Sequence, residues 1–223
     1  MSGLPAFADA GSTLTAAVQK RIGFFGGAFD PPHLAHVALA QLAVADLALD
    51  ELRVVPTGHA WHKTRTLTDP LHRLRMTQLA FADLPQVLVD DREILRSGPS
   101  YTIDTLQALQ SEAPTAQLYL IMGADQFAAF RQWHCWQDIL EIAIICIAGR
   151  AQVDWAASQF EAYKGLQHRF LILPLPPTAI SATQIRHLVA GAARDLQDLQ
   201  HLRGLVPDPV ARYISTHRLY RSL

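Results

Sequence analysis

Cysteine is scarce in this sequence, and so is net charge. Only two cysteines occur, Cys135 and Cys146, in neither a CxxC pair nor a Cys/His zinc spacing, which argues against redox or zinc chemistry. Cys146 lies in the run Ile142-Ala143-Ile144-Ile145-Cys146-Ile147, where a thiol serves as a small buried hydrophobe. Lys and Arg number 19 against 20 Asp and Glu, a formal net charge of −1 with histidine neutral. That balance predicts no nucleic-acid surface and no membrane-binding patch, and it makes small molecules the expected partners. No apolar run reaches membrane-spanning length. Residues Met1 to Ala17 lack the basic start and continuous apolar block of a signal peptide, so a reducing cytoplasm is the expected setting. Internal repeats and low-complexity tracts are missing as well.

What is present is apolar material. Half of the 223 residues are hydrophobic and 17% are charged, enough for one large domain with a substantial core. Residues 1–19 are small and polar, with two glycines and a proline, and are expected to form a flexible leader. Residues 20–223 are expected to form a single domain. Strands are predicted at Arg21–Phe25, Leu52–Val55, Val87–Val89, Leu118–Met122, Ile142–Ala148 and Phe170–Leu173. Most are apolar nearly throughout, as parallel strands covered on both faces are. Helices are predicted at Leu34–Leu47, Pro70–Ala82, Thr102–Ser111, Trp136–Ile139, Val153–Tyr163, Ser181–Ala190 and Pro207–His217. Asp69 before Pro70, and Asp208 beside Pro209, supply helix-start signals. Alternating strands and helices imply a Rossmann-like, doubly wound, mostly parallel α/β sheet with right-handed crossovers.

In such a sheet, ligands sit beyond the carboxyl ends of the strands, where the strand order reverses. The first strand runs into Gly26-Gly27-Ala28-Phe29-Asp30-Pro31-Pro32-His33-Leu34-Ala35-His36. Two glycines allow a sharp turn and close approach of backbone to a ligand. The helix beginning near His33 offers free N–H groups and a positive dipole end to an anion. His33 and His36 are spaced to share one face of its first turn. The glycines are adjacent, unlike GxGxxG, and no GK[ST] follows, so neither a dinucleotide fingerprint nor a P-loop is present. After the last strand comes Ile180-Ser181-Ala182-Thr183-Gln184-Ile185-Arg186. Ser181 can cap the helix that follows, and Arg186 offers a planar fork for phosphate. Taken singly, each feature has an ordinary structural explanation.

Together they are specific. GGAFDPPHLAH resembles the nucleotidyltransferase signature GGxFDPxHxGH, and ISATQIR resembles the ISSTxIR motif of the nicotinate-nucleotide adenylyltransferase family. Between them, Pro56 to Lys63 is similar to that family's P…HK segment, Ser100 to Thr105 to its SYTxDT, and Gly123-Ala124-Asp125 to its GAD. The resemblance extends over roughly residues 20 to 220. It implies transfer of the adenylyl group of ATP to nicotinate mononucleotide, with Mg²⁺ carried on the ATP phosphates. It further implies His33, His36, Lys63 and Arg186 as the catalytic set. Gly26, Gly27, Ala28, Phe29, Asp30, Gly123, Asp125, Ile180, Ser181 and Thr183 would bind ATP. Thr102 and Trp133 would bind the mononucleotide, with the indole stacked on the pyridine ring.

Two departures from the motifs stand out. Ala35 occupies the glycine position of HxGH, and Ala182 replaces the second serine of ISSTxIR; neither removes a charge. Nicotinamide mononucleotide and phosphopantetheine are alternative acceptors for the same chemistry, and a non-catalytic nucleotide sensor is an alternative use of the fold. The remaining histidines, His59, His62 and His134 among them, read as surface residues. Asp90, Asp91 and Glu93 read as a solvated acidic loop.

Overall fold

The structure, a computed structural model, describes residues 19–58, 66–149, 163–176, 178–191 and 199–221. Six strands form one sheet in the order β3-β2-β1-β4-β5-β6. They are β1 (Arg21–Gly27), β2 (Glu51–Pro56), β3 (Val87–Val89), β4 (Gln117–Gly123), β5 (Ala143–Gly149) and β6 (Phe170–Pro174). Every pairing is parallel. The helices are α1 (Leu34–Asp46), α2 (Pro70–Phe81), α3 (Arg92–Leu95), α4 (Thr102–Glu112), α5 (Ala124–Ala128), α6 (Trp136–Ile142), α7 (Ala182–Gly191) and α8 (Asp208–Thr216).

The apolar runs of the strands are explained by two cores, one on each face. In β4, Leu118, Leu120 and Met122 join Ile103, Leu106 and Leu109 of α4 and Ile139 of α6 on one side. The alternate residues Tyr119 and Ile121 join Leu39 and Ala43 of α1, Met76 of α2, Ile185 of α7 and Ile214 of α8 on the other. Successive side chains of a strand point to opposite faces, so a sheet covered on both sides needs apolar residues at every position. Cys146 of β5 is fully buried, and burial pushes its thiol up to about 12, consistent with a packing role. Asp69 caps α2 as its sequence context predicts, accepting the Leu71 N–H at 2.8 Å; Ser181 likewise accepts the Gln184 N–H at the start of α7.

Several expectations are corrected. β1 extends through Gly26 and Gly27, and α6 continues to Ile142, so that β5 begins at Ala143. Helices α3 and α5 were not anticipated, because one turn of helix is too short to show a period. The acidic cluster is solvated only at Asp91. Asp90 is buried between Arg53 and Arg92, and Glu93 is buried with its carboxylate accepting the Thr105 hydroxyl at 2.9 Å. The predicted leader up to residue 18, Lys63, and the predicted helix from Val153 up to residue 162 lie outside the described residues.

Burial sets a test of this layering. Leu106 is completely buried between α4 and the sheet, whereas Leu71 at the start of α2 is 67% exposed. Leu106→Ala should cost about 2–5 kcal/mol in urea unfolding, and Leu71→Ala no more than about 0.5 kcal/mol.

Candidate active site

β1 and β4 are neighbours in the sheet, although the chain visits β2 and β3 between them. The strand order therefore reverses at this pair, the position where open α/β sheets bind ligands. A cleft of about 740 Å³ opens beyond their carboxyl ends, lined by Gly26 and Gly27 from one side and Gly123 from the other. That volume lies in the upper part of the range for small-molecule sites.

The two glycines that end β1, Gly26 and Gly27, act differently from what the sequence suggests. Both belong to the strand, opposite Val55 and Pro56, and neither has a positive φ. An aromatic ring lies close over each. A Cβ on Gly26 would come within 3.0 Å of the Phe24 ring, and one on Gly27 within 3.0 Å of the Phe29 ring. The turn is made two residues after Gly27 by Phe29, whose φ of 47° is left-handed, an unfavourable conformation for a bulky residue. Edge-on contacts with Phe25 (5.4 Å), His36 (5.1 Å) and Phe81 (6.1 Å) hold its ring. Phe29 thus borders the cleft but turns its ring into the core.

The histidine pair is assembled as the spacing predicts. His33 caps α1 and its backbone N–H donates to His36 Nδ1 at 3.2 Å. With Nδ1 used as an acceptor, a neutral His36 carries its proton on Nε2, and that N–H is its donor. The two rings stack at 3.7 Å, and both residues line the cleft. Burial lowers His33 to about 4, so at neutral pH it offers a hydrogen bond and no charge. The N-terminus of α1 is less open than expected, since the Leu34 N–H is taken by the Leu205 carbonyl at 2.9 Å.

Arg186 supplies charge. It is buried on α7, with Nη1 donating to the Asp30 carbonyl at 2.8 Å and Nη2 to the Thr183 hydroxyl at 3.0 Å. Its planar group is thereby fixed at the wall of the cleft, beside Ile180, Ser181 and Thr183. Asp30 does not offer its carboxylate to the cleft. It is 1% exposed, and its oxygens accept the Tyr220 hydroxyl at 2.8 Å and the Thr68 N–H at 3.3 Å. These bonds tie the loop to the tail and to the turn before α2, and Asp30 also lines the cleft. Ala35 and Ala182, the two departures from the motifs, both line the cleft and leave the charged set unchanged.

The far end of the cleft is aromatic. Trp133 packs edge-on against Phe130 at 5.6 Å with one side on the cleft. Tyr101 caps α4 just ahead of Thr102, and His134 tilts against its ring at 4.5 Å. Tyr101 and His134 both line the cleft; Tyr101 falls in the SYTxDT resemblance without a role assigned to it, and His134 reads from the sequence only as a surface residue. Asp125, in the first turn of α5, is exposed and sets its Oδ1 beside Gly123, where a Cβ would be only 2.7 Å away. Glu93 borders this region, and burial lifts its carboxyl to about 7.

Arg73 was also missed. It is fully buried, and its guanidinium donates to the carbonyls of Ala28, Thr57, Gly58 and Thr68. It thereby joins the glycine-rich loop to the turn after β2. A helical stripe of Arg73, Met76, Thr77 and Ala80 carries it into the core, and a charge on such a stripe is the signal that could have found it.

A reversed-order parallel sheet with this loop and histidine pair over the reversal defines a nucleotidyltransferase class, and the cytidylyltransferase-like family model matches residues 24–188. A protein of Albidiferax ferrireducens with the name "probable nicotinate-nucleotide adenylyltransferase" is 54% identical over 92% of this chain and 100% of its own length. A protein of the same name from Methylibium petroleiphilum is 42% identical over 93% of this chain and 95% of its own. The nicotinic acid mononucleotide adenylyltransferase of Plasmodium falciparum, solved with NaAD, superposes with a TM-score of 0.72 at 19% identity, covering 91% of this chain and 98% of that one. The chain belongs to the nicotinate-nucleotide adenylyltransferase family.

The two shifted groups oppose each other in stability. His33 is depressed in the folded protein, so its contribution is complete above about 6.5 and is lost as pH falls through about 4. Glu93 is raised, so its contribution is complete below about 4.5 and is lost as pH rises through about 7. His33→Gln should therefore leave unfolding free energy falling as pH rises from 4.5 to 7, and Glu93→Gln should leave it rising over 4 to 6.5. Urea titrations across pH 4–7.5 would check both slopes.

Proposed function

We propose that the protein transfers the adenylyl group of ATP to nicotinate mononucleotide, giving nicotinate adenine dinucleotide and pyrophosphate, in the cytoplasm and within one domain over residues 20–223. The observation that carries this reading is the convergence of the His33–His36 pair and Arg186 at the β1–β4 reversal, in one cleft with Trp133.

The mononucleotide phosphate attacks the α-phosphorus of ATP, and the bond to the β-phosphate oxygen breaks. A phosphate monoester has its second pKa near 6, so at neutral pH the nucleophile is already largely dianionic. No general base is needed, so the imidazoles and the guanidinium can serve as donors alone. Catalysis then consists of aligning two anions and stabilising charge that builds on the phosphates. Gly26, Gly27 and Ala28 bring backbone close to the nucleotide, and His33 and His36 donate hydrogen bonds to its phosphates. Arg186, and Lys63 from outside the described residues, add positive charge. Ser181, Thr183 and Ile180 line the adenylyl side, and Asp125 beside Gly123 faces the ribose. Thr102 and Trp133 receive the pyridine. Among the described residues no group of three His, Cys, Asp or Glu side chains is placed to hold a metal. Mg²⁺ would arrive on the ATP phosphates and would neutralise part of their charge.

Purified protein with ATP and Mg²⁺ should release pyrophosphate faster with nicotinate mononucleotide than with nicotinamide mononucleotide; absence of release with either would refute the reading. His36→Ala should lower kcat about 100- to 1000-fold in a folded protein, the usual cost of one preorganised donor. Trp133→Ala should raise the mononucleotide KM roughly 10- to 100-fold and leave that of ATP nearly unchanged, since stacking on a ring is worth about 1–3 kcal/mol. A core role for Trp133 would instead lower Tm and alter both constants alike.

A further inference from the structure

We infer that the segment following α7 holds the nucleotide loop from behind, with Tyr220 as a positioning residue for adenylyl transfer. The inference rests on the function proposed above, but its geometry is independent of it.

Two contacts make the hold. The Leu205 carbonyl accepts the N–H of Leu34, the first residue of α1 and the one after His33. The Tyr220 hydroxyl donates to Asp30 Oδ1 at 2.8 Å, while the Asp30 carbonyl receives Arg186 at 2.8 Å. Thus the residue that anchors Arg186 is itself anchored by Tyr220. Both contacts come from beyond residue 188, where the match to the family model ends.

The tail is shaped for this contact. After α8 the chain reverses, with Arg218 at φ 53° and Tyr220 at φ 64°. Left-handed backbone at bulky residues is unfavourable and persists only where its surroundings fix it. The ring is 9% exposed and packs in the core that includes Phe29 and Met76. Burial, and then the neighbouring Asp30 charge, push the phenol well above its ordinary range, so the hydroxyl stays a donor.

The loop needs such support. It contains the left-handed Phe29 and a buried carboxylate, and it must keep His33, His36 and Arg186 in register to within a fraction of an ångström for their donors to meet a developing charge. Thr102 and Trp133, which face the pyridine, sit on α4 and on the turn before α6, elements that carry neither hold. Loss of the Tyr220 hydroxyl should therefore damage turnover and spare mononucleotide binding.

The test is Tyr220→Phe beside a control, Tyr213→Phe. Tyr213, on α8, gives its hydroxyl to a hydrogen bond with His72 at 2.9 Å and does not line the cleft. In Tyr220→Phe, kcat should fall roughly 10- to 100-fold, the scale of a small misplacement of catalytic groups, with the mononucleotide KM within about twofold of wild type. Asp30→Asn added to Tyr220→Phe should cost much less than it costs in wild type, as expected for residues acting through one contact. Amide hydrogen exchange of residues 28–37 should quicken severalfold while that of α4 is unchanged. The exchange result does not require activity, so it separates failure of this inference from failure of the proposed reaction. Wild-type turnover, unchanged exchange at residues 28–37, an equal loss in Tyr213→Phe, or a Tyr220→Phe protein that does not fold would each overturn it.

Discussion

The bond from Arg186 to the carbonyl of Asp30 joins two parts of the chain 156 residues apart, and the arrangement of the cleft depends on it. On one side stands the loop that leaves β1, on the other the helix that follows β6. The sheet brings these ends near one another, but strand pairing alone leaves them independent. The guanidinium couples them, and because it is buried and also bound to Thr183, its position is set by backbone and not by solvent. A short cationic donor group held in this way suffers little reorganisation when an anion arrives, and reorganisation is what limits electrostatic stabilisation in water.

The distribution of charge in the cleft fits the same logic. A site for two phosphorylated molecules could gather every cation available, yet here the stacked imidazoles are largely shielded and His33 is neutral. Stacked protonated rings 3.7 Å apart would repel each other. A neutral His33 packs closely on the His36 ring and leaves full positive charge to Arg186, buried at the wall of the cleft. Arg73 performs a related task below the surface. Its four carbonyl partners would otherwise be buried acceptors of a loop and a turn with no sheet to satisfy them.

Much of this was legible in the sequence, for definite reasons. The strands could be read because β4 and β5 are buried on both faces and must be apolar throughout. The histidine pair could be read because its geometry is local, fixed by one helical turn. What could not be read depends on distant partners. Gly26 and Gly27 suggest a turn, and only folding shows that the Phe24 and Phe29 rings lie over them. Asp30 gives no hint of its bond to Tyr220, because that partner lies 190 residues further on. Glu93 suggests a solvated carboxylate until Thr105 and α4 are packed over it. Lys63 lies outside the described residues, and its place in the site remains a proposal.

The length of the Tyr220–Asp30 connection has a consequence during synthesis. A ribosome makes the glycine loop early and its last anchor some 190 residues later, after every strand of the sheet has been translated. Contacts of such separation close late, because the entropy of closing so long a loop is met only once the intervening chain is compact. A nascent chain that has emerged as far as β6 has every strand and the residues of the core beneath α4 and α6, yet it lacks α7 and α8, which complete the other core, and the hydroxyl that steadies the loop around Asp30. Structural stability and chemical competence are thus acquired at different times, and an incomplete translation product would be folded in outline while its phosphate loop was still unanchored.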